Sequence, residues 1–530
     1  MKKMFLLSSL VAFNMLYANP VDGGVLVFGR SGDSSTLDPS KATDGESFYG
    51  TTQVYDTLVQ FKLGSTEIEP ALAKSYEISE DGLTYIFHLR EGVYFAPTKY
   101  FNEKVEMTAD DVVFSLKRQF DEKHPYNKIN GPHDYWSAMD MDNIVKDVEK
   151  IDKYTVKVTL KKREAPFLAN MAMDFASILC EKYANELLAK NKAQDITRLP
   201  VGTGPFVLVD WKKDDKMIFN ANKEYWGGKP HLDRLIIRVI PNPSVRAAEL
   251  KAGQIQVMDF PNPAELKDLE KNPNIKVMKK EGMNVGYMAM NQKRAEFKNP
   301  LVRQAINHAI NKKAIVDAIY EGLGSVADSP IPPSMWSYTN DIAKYDYDPK
   351  KAKELLVQAG YPNGFKTNMW VLPVSRPYMP DGKRVAEVVQ ADLAKIGIEA
   401  KIATYDYTTY LEKSKNLEHD IMFSGWTGDN GDPDNFLYAL LSKAAAKLPA
   451  NNYSAWENDE FNNLVTKAKE TPNQEERVKL YEEAQKIFAK DAPWVTIANA
   501  VNVVPMLKKI QGFEIDPVGK RRFHTVWIEK

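Results

Sequence analysis

The 530-residue sequence predicts an α/β protein built from several lobes that meet as a clamshell. Three observations point there. From residue 369 onward, strand-like and helix-like stretches alternate in the manner of a parallel sheet with crossover helices. At roughly 150 residues per domain, a chain of this length holds three to four units. No repeat, low-complexity tract or Pro/Gly/Ser-rich linker separates those units, so short crossings must join them. With 44% apolar and 11% aromatic residues there is ample material for a core, and intrinsic disorder is disfavoured.

The first element is a leader. Lys2 and Lys3 precede a stretch, Met4 to Leu16, that is apolar apart from Ser8, Ser9 and Asn14. Leu16-Tyr17-Ala18 then fits a small-residue cleavage site, so residues 1–18 read as a signal peptide cut after Ala18. Thirteen residues are too few to span a bilayer, and no later stretch reaches about 18 apolar residues. The chain is expected to be exported and released. No cysteine stands at the cleavage site to take a lipid, so release into a periplasm is expected. Cys180, the only cysteine, lies in an apolar run and reads as a buried small hydrophobe.

Tyr76 and Ile78, the turn Ser79-Glu80-Asp81-Gly82, then Tyr85, Phe87 and Leu89 spell a β-hairpin. Thr108 caps a helix opening at Ala109-Asp110-Asp111, with Lys117 and Arg118 towards its end. Phe206–Val209 and Leu235–Ile240 read as strands. Asn299-Pro300 starts a helix that carries Val302, Ala305, Ile306 and Ile310 on one face and ends near Gly322. Asp348-Pro349 starts another, which stops at Gly360. The alternation then runs strand 369–374, helix 384–395, strand 398–404, helix 407–415, strand 420–425.

Ligands of open α/β sheets gather beyond the carboxyl ends of strands. One such loop reads Ser375-Arg376-Pro377-Tyr378, and another Trp426-Thr427-Gly428-Asp429-Asn430-Gly431-Asp432. A guanidinium suits a carboxylate and a carboxylate suits an ammonium, so the two loops together describe a receptor for a zwitterion. The second run also reads as an ordinary turn, and Arg376 also as a surface residue or as the partner of a structural acid. Seventy basic against 71 acidic residues argue against a nucleic-acid partner. The seven histidines have no ligand spacing, and no phosphate loop, His-Glu-x-x-His, EF-hand or nucleophile elbow is found, so neither a metal nor a cofactor nor catalytic residues are expected. A binder is expected rather than an enzyme; a peptidase is the competing class.

Ala109-Asp110-Asp111-Val112-Val113-Phe114-Ser115, Gly202-Thr203-Gly204-Pro205-Phe206, Arg376-Pro377-Tyr378 and Gly425-Trp426-Thr427-Gly428-Asp429 resemble motifs of the family 5 extracellular solute-binding proteins of ABC importers. The last two resemble its dipeptide-binding branch. The resemblance implies a class II periplasmic-binding-protein-like clamshell: two α/β lobes on a two-crossing hinge, plus a smaller α+β lobe. It implies a discontinuous first lobe of residues 19–56, 204–282 and 500–530, a second of 57–203 and a third of 283–499. It implies that Asp429 meets a ligand's α-ammonium and Arg376 its α-carboxylate. Thr43, aligned through Leu37-Asp38-Pro39, would contact the ligand from the opposing lobe, with Pro377, Tyr378, Trp426, Thr427 and Gly428 as walls. The partners so implied are a dipeptide and an inner-membrane ABC permease, served by a monomer; presentation to a chemoreceptor is compatible with both. Haem, a nickel chelate or glutathione is the alternative cargo. A dipeptide's charged ends lie roughly 7 Å apart, so two charges fixed on strand ends would act as a length ruler.

Overall fold

A single strand of 14 residues, Trp494–Leu507, ties the two halves of the molecule together. The computed structural model, which describes residues 19–129 and 131–530, pairs the first part of this strand with Asn284–Met290 and the second with Ile275–Glu281. The expected signal peptide lies outside the described residues. One large sheet results, in the order 206–212, 216–221, 234–239, 25–30, 257–258, 494–507, 284–290, 421–427, 366–370, 399–403.

Where the two halves join, side chains replace ladder hydrogen bonds. The buried amide of Asn284 donates to the Ala500 carbonyl and accepts from the Ala500 N–H, both at 2.9 Å. Asn499 donates to the Asn284 carbonyl at 2.8 Å. Gly282 must be glycine here, since a Cβ would stand 2.2 Å from the Ala500 oxygen. These contacts sit where the long strand passes from one pairing partner to the other.

Burial separates two large apolar cores. One, with Met288, Ile306, Leu393, Phe423 and Trp494, draws only on residues 283–500. The other joins Phe28, Tyr49 and Phe523 to Phe87 and Phe175, so residues 57–203 share their core with segments on either side of them in the chain. Residues 57–203 carry their own antiparallel sheet, in the order 73–78, 84–89, 155–160, 145–152. The expected hairpin is its first pair, with Tyr76 opposite Phe87. The helix Ala109–Phe120 starts at Thr108, whose N–H donates to the Asp111 carboxylate at 2.8 Å.

In the later half, Lys366–Trp370 runs parallel to both Glu399–Ala403 and Ile421–Thr427, the parallel triplet that was expected. Ile421–Thr427 then pairs antiparallel with Asn284–Met290, so the sheet is mixed. Two boundaries differ. The strand expected at 369–374 ends at Trp370; Val371 and Leu372 are buried, which explains their strand-like appearance, but Pro373 has no N–H to continue a ladder. The helix expected from Pro300 to Gly322 stops at Ala309. There Asn311 caps a new helix through the Ala314 N–H at 3.0 Å, and its own N–H is taken by Asp392 at 2.9 Å. Among the described residues no helix is long and apolar enough to cross a membrane.

Candidate functional site

A cavity of about 230 Å³ opens between the halves, lined from one side by Thr43–Glu46, Phe48, Tyr49 and Tyr135 and from the other by residues of 376–378, 407–415 and 424–429. A water needs only ~10–15 Å³ on this measure, so the space suits a ligand of many atoms. Thr43, Arg376, Pro377, Tyr378, Trp426, Thr427 and Asp429 all line it. Gly428, expected as a wall, does not: its N–H donates to the Met283 carbonyl at 2.7 Å, and a Cβ there would meet Phe436 at 2.7 Å. It packs behind the site.

The sheet positions the Arg376 loop through a pair of glycines. Gly286 and Gly425 face each other across neighbouring strands. A Cβ on Gly286 would lie 2.2 Å from the Tyr378 carbonyl oxygen, and one on Gly425 would lie 2.1 Å from the Tyr378 ring. The Tyr378 segment therefore rests in a trough that only glycines leave open. Its carbonyl accepts from the Tyr320 hydroxyl at 2.6 Å. Arg376 and Met379 exchange backbone hydrogen bonds of 3.1 and 3.0 Å, closing a tight turn.

Arg376 thus extends from a turn six residues beyond the strand, not from the strand end itself. Its guanidinium donates to the Ser375 carbonyl at 3.0 Å and stands over the rings of Tyr407 and Phe260 at 5.4 and 5.8 Å. Glu46, on the opposite wall, comes within 3.9 Å. Burial works against the guanidinium's charge, but Tyr407 and Glu46 outweigh it and hold Arg376 firmly protonated. Burial raises the Glu46 carboxyl above its ordinary range, while Arg30 and Arg376 pull the other way.

Asp429 follows the strand Ile421–Thr427. Asn435, fully buried, gathers this corner: its side-chain oxygen accepts from the Asp429 N–H at 2.9 Å and the Trp426 indole at 2.8 Å. The Asp429 carboxylate accepts from the Tyr135 hydroxyl of the opposite wall. No ion pair involves Asp429 among the described residues. Burial pushes its carboxyl up to about 7; Asp174 adds to the rise, and the Tyr135 hydroxyl and Lys520 oppose it. A carboxylate with no ion-pair partner among the described residues and a guanidinium whose carboxylate neighbour, Glu46, stands 3.9 Å away thus share one cavity. Across its rim Lys415 pairs with Asp134 at 3.1 Å. Tyr135, Glu46 and Tyr407 escaped the sequence reading because no local pattern sets them apart. No group of three metal-ligating side chains forms among the described residues.

A family model for bacterial extracellular solute-binding proteins, family 5 Middle, matches residues 67–447. The chain belongs to this family. Its solved relatives include a periplasmic binding protein, DppA, from Helicobacter pylori in complex with the peptide STSA. That structure superposes with a TM-score of 0.92 at 49% identity, covering 96% of this chain and 99% of the other. The dipeptide-binding protein of Escherichia coli is 42% identical over 98% of this chain and 97% of its own length. Heme-binding protein A of Haemophilus influenzae is 44% identical over 93% of this chain and 90% of its own. The mixed sheet with its paired crossings is the clamshell of the family 5 solute-binding proteins.

Proposed function

We propose that this solute-binding protein captures dipeptides in the periplasm and hands them to the membrane permease of an ABC importer, without altering them. The observation that carries the reading is Asp429, a carboxylate with no ion-pair partner among the described residues, lining the same cavity as Arg376. Asp429 takes the ligand's ammonium and Arg376 its carboxylate, each a charge-assisted bond in a site shielded from solvent. Thr43 meets the ligand from the opposing wall, and Pro377, Tyr378, Trp426 and Thr427 enclose it. The lobes that close are 19–56 with 204–282 and 500–530, 57–203, and 283–499, turning on the Asn284–Ala500 crossing. Removal of residues 1–18 delivers the mature chain to the periplasm.

Native mass spectrometry of the purified protein weighs whatever it carries, and calorimetric titration with Ala-Phe and with its N-acetyl derivative follows. Binding of Ala-Phe, lost on acetylation, is the expected result; equal binding of both removes the ammonium from the recognition. Haem is the second reading, favoured by the 44% identity to Heme-binding protein A. A Soret band in the purified protein or on titration would establish it.

A further inference from the structure

Away from the cavity, the two halves meet a second time. The Ala165 N–H donates to the Lys469 carbonyl at 2.6 Å, lacing the segment after Thr155–Leu160 to the end of the helix Asp459–Glu470. Around this bond the side chains of Glu164, Asp434 and Lys469 are 0, 0 and 1% exposed. The Lys469 ammonium stands 3.5 Å from Glu164, 3.9 Å from Asp434 and 3.8 Å from the centre of the Tyr438 ring. Neither oxygen of either carboxylate, nor the ammonium nitrogen, has a hydrogen-bond partner. Five such atoms in one place are far from the rule that buried polar groups are paired.

The charges do not balance. Asp432 and Arg477, 2.7 Å apart and at most 10% exposed, complete the buried set. Three carboxylates then face two cations. Outside them Asp140 pairs with Lys162 at 3.3 Å, adding one charge of each sign, and Lys162 also reaches Glu470, which is 44% exposed and screened by solvent. Arg163 lines the cleft beside Glu164, but its guanidinium donates to the Asp81 and Glu80 carbonyls at the exposed hairpin turn and is screened by solvent, so one negative charge is left over in the buried part of the seam. Burial, reinforced by the neighbouring acids and opposed by Lys469, raises both the Glu164 and the Asp434 carboxyl above the ordinary range. Burial disfavours the Lys469 charge, but Asp434 and Glu164 outweigh it and keep the ammonium protonated.

We infer that Glu164, Asp434 and Lys469 form a proton-binding latch between the lobes, and that closing the clamshell takes up one proton at the Glu164–Asp434 pair. The proton comes from solvent, bonds to one carboxylate oxygen and cancels the negative charge in excess. Opening the lobes rehydrates both acids and returns it. Because the raised acids bind the proton in the closed state, acid favours closure. The contribution is complete below the ordinary carboxyl range and is lost as pH rises through the raised values. Asp429 acts in the opposite sense, since it must be ionised to hold an ammonium, so the latch is read as a difference between wild type and variants.

The inference rests on the reading that a peptide closes these lobes. The full mature chain is titrated calorimetrically with Ala-Phe at pH 7.5 in phosphate and in Tris, whose ionisation enthalpies differ, to count protons. Wild type should take up between half a proton and one per peptide, and Glu164→Gln at least half a proton less. Asp434→Asn serves if the first variant does not fold. Latch-linked affinity, taken as the ratio of wild type to variant, should fall by up to tenfold per pH unit above neutrality. Equal proton counts in wild type and variants overturn the latch while leaving peptide binding intact. If wild type does not bind Ala-Phe, the peptide reading fails, and small-angle scattering of the unliganded protein decides the latch alone. A radius of gyration that falls from pH 8 to pH 6 in wild type but not in the variants supports it; the same profile in all of them overturns it.

Discussion

Replacing Asp429 with asparagine should weaken ligand binding and at the same time stabilise the empty protein. The second effect follows from the carboxyl's rise from 3.8 to about 7, caused first by burial. That rise, at about 1.4 kcal/mol for each tenfold change in acidity, amounts to about 4 kcal/mol against the folded state once the group ionises. This is an upper limit, because part of the side chain faces the open cavity and is screened. A carboxyl raised by folding contributes fully below the ordinary Asp range and loses its contribution as pH rises through about 7. Asp429→Asn should therefore melt above wild type at pH 8, with the gap shrinking towards pH 4. Binding goes the other way. Loss of one partner of a desolvated charge pair costs about 2–5 kcal/mol, roughly thirtyfold to several thousandfold in affinity. Differential scanning calorimetry of the empty protein and titration with Ala-Phe measure the two effects. Wild-type affinity in the variant refutes the ammonium assignment, and an unchanged melting temperature at pH 8 refutes the claim that the empty site holds a destabilising charge.

Ala-Phe amide should bind at least tenfold more weakly than the free acid, because the half-buried Arg376 would lack its anion in the closed cleft; equal affinities place the carboxylate elsewhere. Dipeptides should outbind tripeptides by more than tenfold, since a third residue leaves one terminus unpaired in a closed cleft; a thermal-shift panel in which both stabilise equally removes the length ruler. Asn284→Ala should cost about 1–3 kcal/mol in urea denaturation by orphaning the Ala500 N–H, and a loss below about 0.5 kcal/mol would remove the crossing's structural role. Cys180, buried and with its thiol pushed up to about 12, should resist Ellman's reagent at pH 8 until the protein is unfolded. Rapid labelling of the native protein would contradict its burial.

Much of the site's chemistry could be read along the chain because it is local. The hairpin at 73–89, the capped helix at 109 and the strand–helix alternation after 366 depend on periodicity and turn residues that sit together in sequence. Arg376 and Asp429 stood out because each follows a strand in its own short loop. Boundaries failed where local and tertiary signals compete. Val371 and Leu372 look like strand because they are buried, and the helix after Pro300 breaks because Asn311 prefers to cap. Arg376, too, is held by a turn seated on Gly286 and Gly425 rather than by the sheet edge.

By itself, then, the sequence determined the element types, the zwitterion-suited pair of loops and the resemblance to the family, all properties of residues near one another along the chain. Only the tertiary structure decided which groups face that pair. Tyr135 reaches Asp429 from 294 residues away, and Glu46 approaches Arg376 from the opposite wall of the cavity. Glu164, Asp434 and Lys469 are unremarkable one by one and become a buried charge cluster only when folding brings them together. Burial and electrostatic coupling depend on distance in space and on the exclusion of water, and neither is written in any local pattern of residues.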